Sequence, residues 1–431
     1  DDDDDDDVER HGQNQLPTWN RQLGPDALTQ LQKSIALMHA AKAALPLHET
    51  DCCKRGRLLN STGAACFLLG PVGWSEATLE LRGAVTLMPG AWAPRSNLVR
   101  VLGRLIRDAN GSEKQALQLE RTYLLEEMSR IRPGHPGIWY RLGMALRHAG
   151  RLEEAITALE ANLNRAAKAE AIPATPSDSH DSGNRQNCNA VFKVASTKHW
   201  LAVLRGDNPA TAPAEYVASL FDNYAERFEE HLVGKLQYNT PARLADALGD
   251  FGSLVSGWQR CADLGCGTGL MGPSLRSLGF RGILEGVDLS EGMLVQAWAK
   301  GGPGIGYDRL LCGDILDLLT ADEVASQGLF DLVIAADVFV YIGDLSAVFR
   351  RASECLTHGG VFAFSTEAPR PGECTSQYRL TETGRFKHDP VHLARLGDSM
   401  GLTLHDFRAV VLRMDAGKPV NGHVHVMTRT S

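Results

Sequence analysis

The stretch RCADLGCGTGL, residues 260–270, decides the fold of the C-terminal half. It is a short apolar run that ends in Asp263 and leads into a glycine-rich loop with Gly265 and Gly267. Glycines let the backbone turn sharply and pass close to a ligand, because no Cβ stands in the way. A dinucleotide-binding loop would need a further glycine at position 270, where this chain has Leu270, so the pattern argues against a pyrophosphate (NAD) site.

Short apolar runs alternate with amphipathic stretches downstream of this loop. The predicted strands are residues 260–264, 283–288, 309–312, 330–336, 360–365, 402–411 and 423–428. Strands that alternate with helices form a parallel, doubly wound sheet, which binds ligands outside the carboxyl ends of its strands. No convincing helix separates the last two runs, so they are expected to form an antiparallel hairpin at one edge.

Two further aspartates follow strands of this predicted sheet. Asp288 ends the second strand, where a carboxylate can accept hydrogen bonds from both hydroxyls of a ribose. Asp314 follows the third strand, where it could hold an adenine amino group while Ile315 packs on the ring. Each aspartate alone is more typical of a turn or a helix N-cap. Together with Asp263 and the glycine loop, in this order, they indicate a nucleoside site.

These motifs resemble those of class I S-adenosylmethionine-dependent methyltransferases, over about residues 213–431. The motifs that carry the resemblance are DLGCGTG (263–269), GVDLSEGML (286–294), CGDI (312–315) and FDLVIAADVFVYI (330–342). Two flanking stretches are more narrowly similar to bacterial fusions of tetratricopeptide repeats with a methyltransferase, namely residues 215–241 and 412–429. The family implies a Rossmann-like sheet of seven strands with a reversed last strand.

The resemblance also implies S-adenosylmethionine as cofactor and a set of residues that bind it. Those around the methionine portion and the ribose are Asp263, Gly265, Gly267 and Asp288. Those beside the adenosine are Leu289, Met293, Asp314 and Ile315. Asp337 follows the fourth strand, where such enzymes face both the cofactor sulfur and the acceptor.

The aromatic residues of segment 216–231 recur at helical spacing, which predicts an amphipathic helix. Such a helix could simply pack on the domain. In similar enzymes an N-terminal helix closes over the cofactor, which favours a lid in which Tyr216 or Tyr224 covers the methionyl group and excludes water.

Candidates for acceptor chemistry lie after the fourth and fifth strands. The predicted catalytic residues are Asp337, Tyr341 and His388, and the predicted substrate-binding residues are Tyr378, Arg385 and His388. Each has a structural alternative: a surface or helix-cap role for His388, an ion pair for Arg385, and packing for Tyr341. No metal site is predicted, because His423 and His425 share one face of a strand without a third ligand.

The N-terminal half contains internal repeats. Residues 137–163 place small and apolar residues at tetratricopeptide spacing, and these are Trp139, Leu142, Gly143, Leu146, Ala155 and Leu159. A second copy ends at residues 75–90, a third over 92–133 is stretched by about ten residues, and 26–45 is a degenerate repeat or cap. Stacked helix pairs usually hold a peptide or partner.

The formal net charge of −8 is unevenly distributed. Seven negative charges belong to Asp1–Asp7, residues 8–170 carry an excess of six positive charges, and residues 171–431 carry an excess of seven negative charges. This pattern argues against a general nucleic-acid binder, whose binding face is strongly basic.

The location is predicted to be cytoplasmic. No apolar run approaches the roughly 18–20 residues that span a bilayer, and no signal peptide opens the chain. The cysteines number nine and form no C-x-x-C pair, which indicates a reducing compartment without structural zinc.

Five regions follow from these patterns. They are a disordered acidic tail (1–23), an all-α tetratricopeptide-like domain (24–168), a linker (169–190), N-terminal cap or lid helices of the methyltransferase (191–250), and the α/β methyltransferase core (251–431).

The predicted function is methylation of a small-molecule acceptor, with the repeats mediating assembly, self-association or binding of a protein partner. One alternative is a protein methyltransferase whose repeats dock the polypeptide, and another is a scaffold that has lost activity. The intact motifs argue against the scaffold. The polypeptide alternative lacks specific support, because Ala336-Asp337-Val338-Phe339 stands where an N-P-P-Y motif would mark amide or adenine-amine methylation.

Overall fold

The protein divides into two compact units, residues 1–197 and 198–431. The computed structural model describes residues 25–44, 52–170, 193–225, 228–229, 237–252, 254–301, 306–370, 373, 377–415 and 417–430. The predicted acidic tail and residues 171–190 of the predicted linker lie outside these residues. The other two residues of that linker, 169 and 170, belong to a helix.

The N-terminal unit is helical. Its helices are α1 (Pro25–Ala44), α2 (Cys52–Leu68), α3 (Pro71–Leu87), α4 (Trp92–Asp108), α5 (Gly111–Ile131), α6 (Ile138–His148) and α7 (Leu152–Glu170). Helix α8 (Val194–Arg205) contains the division between the units. Successive helices pack in pairs, α2 on α3, α4 on α5 and α6 on α7.

The first and third pairs share a close helix approach. A Cβ built on Gly63 of α2 would lie 2.6 Å from Cγ of Leu81, and a Cβ built on Gly143 of α6 would lie 2.6 Å from Cγ of Leu159. Both leucines are fully buried. Only glycine allows this approach, because any larger residue would force the two helices apart.

The C-terminal unit is built on a mostly parallel, Rossmann-like sheet. Its strands are β1 (Arg260–Leu264), β2 (Ile283–Asp288), β3 (Arg309–Cys312), β4 (Phe330–Ala335), β5 (Leu356–Glu367), β8 (Leu402–Asp415) and β9 (Lys418–Arg429). Their order is β3-β2-β1-β4-β5-β9-β8, with β1 to β5 parallel and β9 antiparallel to both of its neighbours.

The predicted seven-stranded sheet and its final antiparallel hairpin are therefore confirmed. The last three strands are longer than the sequence indicated. A further two-stranded sheet, β6 (Tyr378–Leu380) with β7 (Phe386–His388), falls in the segment that was expected to line the acceptor site.

Helices cover both faces of the large sheet. They are α9 (Ala214–Tyr224), α10 (Thr240–Leu248), α11 (Leu254–Gly257), α12 (Met271–Ser277), α13 (Glu291–Ala299), α14 (Ile315–Leu318), α15 (Ala321–Gln327), α16 (Ser346–Cys355) and α17 (Pro390–Ser399). One buried cluster unites α10, α12 and the sheet, and a second, rich in phenylalanine, lies under α16. In the described ranges, no helix has the length and apolar character needed to cross a membrane.

Candidate active site

The carboxyl ends of β1, β2 and β4 meet at the point where the strand order reverses. Strand β1 pairs with β2 on one side and with β4 on the other. In doubly wound sheets this switch point forms the ligand crevice. Asp263 lies in β1, Asp288 ends β2, and Asp337 follows β4 by two residues, so the fold brings these three predicted residues to one edge.

The glycine loop after β1 requires glycine at two positions for different reasons. Gly265 and Gly267 have φ angles of +64° and +54°, in the left-handed region. A Cβ on Gly265 would lie 2.5 Å from Cγ2 of Val338, whereas a Cβ on Gly267 would meet no heavy atom within 4 Å. Gly265 therefore allows the loop to press against the segment after β4, and Gly267 allows the turn itself.

Asp288 ties this loop to the end of β2. Its Oδ2 accepts a hydrogen bond from the backbone N–H of Gly267 at 2.8 Å, and its Oδ1 accepts one from the N–H of Ser290 at 2.9 Å. Burial raises the pKa of this carboxyl, and the backbone donors oppose that shift. Each carboxylate oxygen keeps a second lone pair for a ligand hydroxyl, so the group fits a ribose.

Helix α9 is anchored beside this site by a residue that the sequence analysis missed. Oδ1 of Asp222 accepts hydrogen bonds from the Ser290 hydroxyl at 2.6 Å and from the Gly292 N–H at 3.2 Å. Ser290 is also the N-cap of α13, because its hydroxyl oxygen accepts a hydrogen bond from the N–H of Met293. The Met293 side chain is fully buried. These contacts hold α9 beside the residues that follow Asp288, the predicted ribose ligand. A lid over the cofactor is expected next to this position.

The two tyrosines predicted to cover the cofactor have different surroundings. Tyr216 is 7% exposed and stacks on His199, with ring centroids 4.3 Å apart. The Tyr224 ring lies 5.5 Å from Phe228 in an edge-on contact. Phe221, on the same helix, lies edge-on to Tyr341 at 5.5 Å and so connects α9 to the segment after β4.

Asp263 is buried at the centre of the sheet edge. The hydroxyl of Tyr307 donates a hydrogen bond to its Oδ2. Burial raises the pKa of Asp263 to about 7, the charge of Asp288 adds to this rise, and the Tyr307 hydrogen bond opposes it. The site therefore holds a carboxyl group that changes its protonation near neutral pH.

This titration predicts a pH-dependent stability. The pKa of Asp263 rises from about 3.8 in the unfolded chain to about 7, so the stabilising contribution of its neutral form is lost as pH rises through this range. We expect Asp263→Asn to remove a slope of at most about 1.4 kcal/mol per pH unit. Urea unfolding between pH 5 and 8 measures it, with Asp308→Asn as a control outside the sheet centre; equal slopes in all three proteins would contradict the assignment.

Asp337 is held in an unusual backbone conformation. Its φ is +57°, which non-glycine residues rarely adopt. Its N–H donates to Oγ of Ser365 at 2.8 Å, and the Ser365 hydroxyl donates to Oδ1 of Asp337 at 3.0 Å. Arg413 donates to Oδ2 at 3.0 Å. One contact to the backbone and two to the carboxylate thus fix Asp337, the residue that was predicted to face the cofactor sulfur and the acceptor.

The Asp337 carboxylate belongs to a buried ionic network that the sequence did not reveal. Arg413, whose side chain is 6% exposed, also donates to Oε1 of Glu367, whose side chain is 5% exposed. Arg385 pairs with the same Glu367 oxygen at 3.6 Å and is more accessible, with its side chain 32% exposed. Arg385 also hydrogen-bonds Tyr341.

Tyr238 lies on the same side of the sheet edge. Burial raises the pKa of its phenol, and the negative charge of Asp337 raises it further. The network and Tyr238 thus bring together residues from five separate parts of the unit around the predicted acceptor side.

The β6–β7 hairpin places Tyr378 opposite His388. His388 is 1% exposed, and its Nε2–H donates to the backbone carbonyls of Ile342 at 2.9 Å and Gly343 at 3.1 Å. Burial lowers its pKa to about 4, so the ring is neutral at physiological pH. His388 is therefore neither the surface nor the helix-cap residue named as its structural alternative; its ring holds the loop after β4.

Asp314 occupies the helix N-cap position that was the alternative to adenine binding. Its Oδ1 accepts from the N–H of Leu316 at 2.9 Å, while its own N–H donates to Oδ2 of Asp317 at 2.8 Å. The two residues form a capping box at the start of α14. Leu289 is half-buried and Ile315 is 7% exposed at the same edge.

The chain is similar to known methyltransferases over part of its length. The family described as "Methyltransferase domain" matches residues 262–364. Malonyl-[acyl-carrier protein] O-methyltransferase of Legionella pneumophila is 31% identical over 153 residues, which are 36% of this chain and 50% of that protein. Aklanonic acid methyltransferase of Streptomyces sp. (strain C5) is 27% identical over 158 residues, 36% of this chain and 67% of that protein.

Among solved structures, magnesium protoporphyrin IX methyltransferase from Synechocystis with bound S-adenosylmethionine is similar, with a TM-score of 0.35 and 16% identity over 50% of this chain and 97% of that one. This chain spans about half the length of the Legionella relative. The residues that match the family model all lie in the C-terminal unit. Residues 262–364 of the C-terminal unit are thus similar to methyltransferase domains, the family that the sequence motifs resemble.

Proposed function

We propose that the protein transfers a methyl group from S-adenosylmethionine to an oxygen atom of an acidic small molecule. The observation that carries the proposal is the row of Asp263, Asp288 and Asp337 at the switch point of the sheet, with Asp288 bound to the glycine loop. When bound, S-adenosylmethionine supplies a methyl group on a positively charged sulfur, which an acceptor oxygen can attack.

The residues of the site divide the task of binding. Asp288 accepts the ribose hydroxyls, and Gly265 and Gly267 let the loop approach the methionine portion. Met293, Leu289 and Ile315 offer apolar contact to the adenosine, with Asp314 beside them. Helix α9, held by Asp222, excludes water from above the ribose, with Tyr216 or Tyr224 toward the methionyl group.

The acceptor binds, in this proposal, between Tyr341, Tyr378 and Arg385. Arg385 is the more exposed of the two arginines that share Glu367, and its ion pair is long at 3.6 Å, so its guanidinium can also bind an anionic acceptor. An ionised acceptor oxygen needs no general base, and positioning near the methyl carbon suffices. Asp337 orients the reacting groups, and His388 positions the loop that carries Tyr341.

Two relatives support an oxygen acceptor on an acid. One is named as an O-methyltransferase acting on a malonyl group, and the other as acting on aklanonic acid. We extend that acceptor class to this chain on the basis of Arg385, and no nucleic acid or membrane partner is invoked.

We further propose that the helical unit is a tetratricopeptide-like array that serves assembly or binds a protein partner in the cytoplasm. The matching Gly63–Leu81 and Gly143–Leu159 approaches support a repeated helix pair. The second candidate function, methylation of a polypeptide docked on this array, is tested alongside the first.

The test incubates the full chain and methyl-labelled S-adenosylmethionine with separate metabolite and polypeptide fractions of a cell extract. We expect anionic metabolites to be the substrates, so that the label is recovered in their methyl esters or aryl methyl ethers. Arg385→Gln should raise the KM for the acceptor without changing cofactor affinity, whereas Arg379→Gln, an exposed arginine on β6, should change neither. Label confined to polypeptides would favour the second candidate and overturn the first.

A further inference from the structure

A cluster of three potential metal ligands lies in the helical unit. The cluster consists of His39 on α1, Cys66 on α2 and Glu76 on α3. One ligand atom from each residue lies within 4.8 Å of the other two. Nε2 of His39 is 2.9 Å from Oε1 of Glu76. Three separate helices thus direct a nitrogen, a sulfur and an oxygen to one point.

The spacing of these atoms is close to what a tetrahedral zinc ion requires. Zinc–ligand distances of about 2.0–2.3 Å place neighbouring ligand atoms roughly 3.3–3.8 Å apart. The histidine–glutamate pair at 2.9 Å is a few tenths of an ångström shorter than this range, and all three separations are at most 4.8 Å. Side-chain rotation of His39 and Glu76, which are 36% and 46% exposed, can close that difference.

The surroundings offer a path by which a metal ion can enter and a further carboxylate that can bind it. Cys66 is fully buried, so the thiol forms the floor of the cluster and the two exposed ligands form its opening. One helical turn after Glu76, Glu80 is 4% exposed; its Oε1 pairs with Lys42, while its Oε2 is buried without a hydrogen-bond partner. A buried carboxylate oxygen without a partner is costly unless a cation or donor satisfies it.

We propose that His39, Cys66 and Glu76 bind a divalent transition-metal ion, with zinc as the preferred ion. The histidine nitrogen and the cysteine sulfur together select zinc over calcium or magnesium, which prefer oxygen ligands. Water or Glu80 completes four-coordination. On binding, the Cys66 thiol releases its proton to solvent as the sulfur–metal bond forms, and the ion replaces the hydrogen bond between His39 and Glu76.

The site would have a structural consequence. It connects α1 to the α2–α3 pair through one ion, and a bound ion that recognises only the folded state stabilises that state. The inference does not depend on the proposed methyltransferase reaction, because the ligands belong to the other unit.

The experiment treats the full chain with a chelator, adds Zn²⁺ or Co²⁺, removes free metal and measures the bound ion. We expect about one zinc per chain, and a thiolate-to-cobalt charge-transfer band in the near ultraviolet. Cys66→Ser should abolish that band. His39→Gln and Glu76→Gln should weaken zinc binding by about 100-fold or more, because even residues that only orient a ligand change affinity by about 10- to 100-fold.

The matched control is Cys53→Ser, which removes an exposed cysteine from the same helix and should leave binding unchanged. His39→Gln and Glu76→Gln alter partly exposed side chains, so they test the site even if Cys66→Ser disturbs the helical core. Circular dichroism verifies the folding of each variant. The absence of retained zinc, or retention that none of the three ligand variants reduces, would overturn the proposal and leave a hydrogen-bonded cluster.

Discussion

Replacement of Arg413 by methionine is expected to destabilise the C-terminal unit by about 3–5 kcal/mol. Arg413 is the shared partner of Asp337 and Glu367, and its side chain is 6% exposed. Methionine keeps most of the aliphatic stem but carries no charge, so the carboxylates of Asp337 and Glu367 would lose their main cation. The large effect comes from the unpaired charges that remain, since a buried ion pair as a whole contributes little.

Chemical unfolding of the full chain, followed by tryptophan fluorescence, measures this change. The matched control is Arg408→Met on the same strand, which breaks pairs with Asp406 and Asp250 that are partly exposed, so it should cost about 1 kcal/mol or less. A double variant with Glu367→Gln should recover part of the loss. Equal effects of the Arg413 and Arg408 substitutions would show that the network is not what holds Asp337.

The second large effect is expected from Asp288→Asn, which should weaken S-adenosylmethionine binding by about 10- to 100-fold. The reason is the loss of a charged hydrogen-bond acceptor, which is worth about 1–3 kcal/mol. The substitution keeps the size of the side chain and replaces one acceptor oxygen by an amide donor. That donor would face either the Gly267 N–H or the Ser290 N–H, and neither can accept it.

Isothermal titration calorimetry with the cofactor measures this loss, and Asp331→Asn is the matched control. Asp331 also accepts backbone hydrogen bonds, but it lies at the amino ends of β1 and β4. Its Oδ2 accepts from the N–H groups of Gln259 at 2.7 Å and Arg260 at 3.2 Å. Its substitution should reduce stability without reducing affinity. Unchanged affinity in Asp288→Asn would refute the ribose assignment.

Much of the sheet could be predicted from local pattern alone. The runs that became β1 to β4 are short, apolar and bounded by glycine or aspartate, and each lies where it was expected. The absence of a helix between the last two runs was enough to predict the β8–β9 hairpin. The aspartates after strands were found for the same reason, because their position follows from where a strand ends.

The contacts that complete the site could not be predicted, because they join distant parts of the chain. Arg413 and Asp337 are 76 residues apart, and Asp222 and Ser290 are 68 residues apart. Nothing local marks these residues as partners. Conversely, His388 stands in a plausible position for catalysis, yet its hydrogen bonds to the carbonyls of Ile342 and Gly343, 46 and 45 residues away, could only be seen in three dimensions.

The proposed metal site could not be predicted from the sequence either, because its ligands also come from distant parts of the chain. No zinc site was expected, because the chain has no C-x-x-C pair and because His423 and His425 have no third ligand in the sequence pattern. His39, Cys66 and Glu76 come from three helices and form no motif, and they meet only because those helices pack together.

The insertion of β9 between β5 and β8 affects the order in which a nascent chain can fold. Strand β8 is synthesised first, yet the sheet pairs it with β9, which in turn pairs with β5. During translation, β8 can pack on helices made before it, but it has no paired strand until β9 has left the ribosome. Since β8 carries Arg413, the switch point between β1, β2 and β4 can form before Asp337 and Glu367 gain this cation, so the ionic network around Asp337 is completed last.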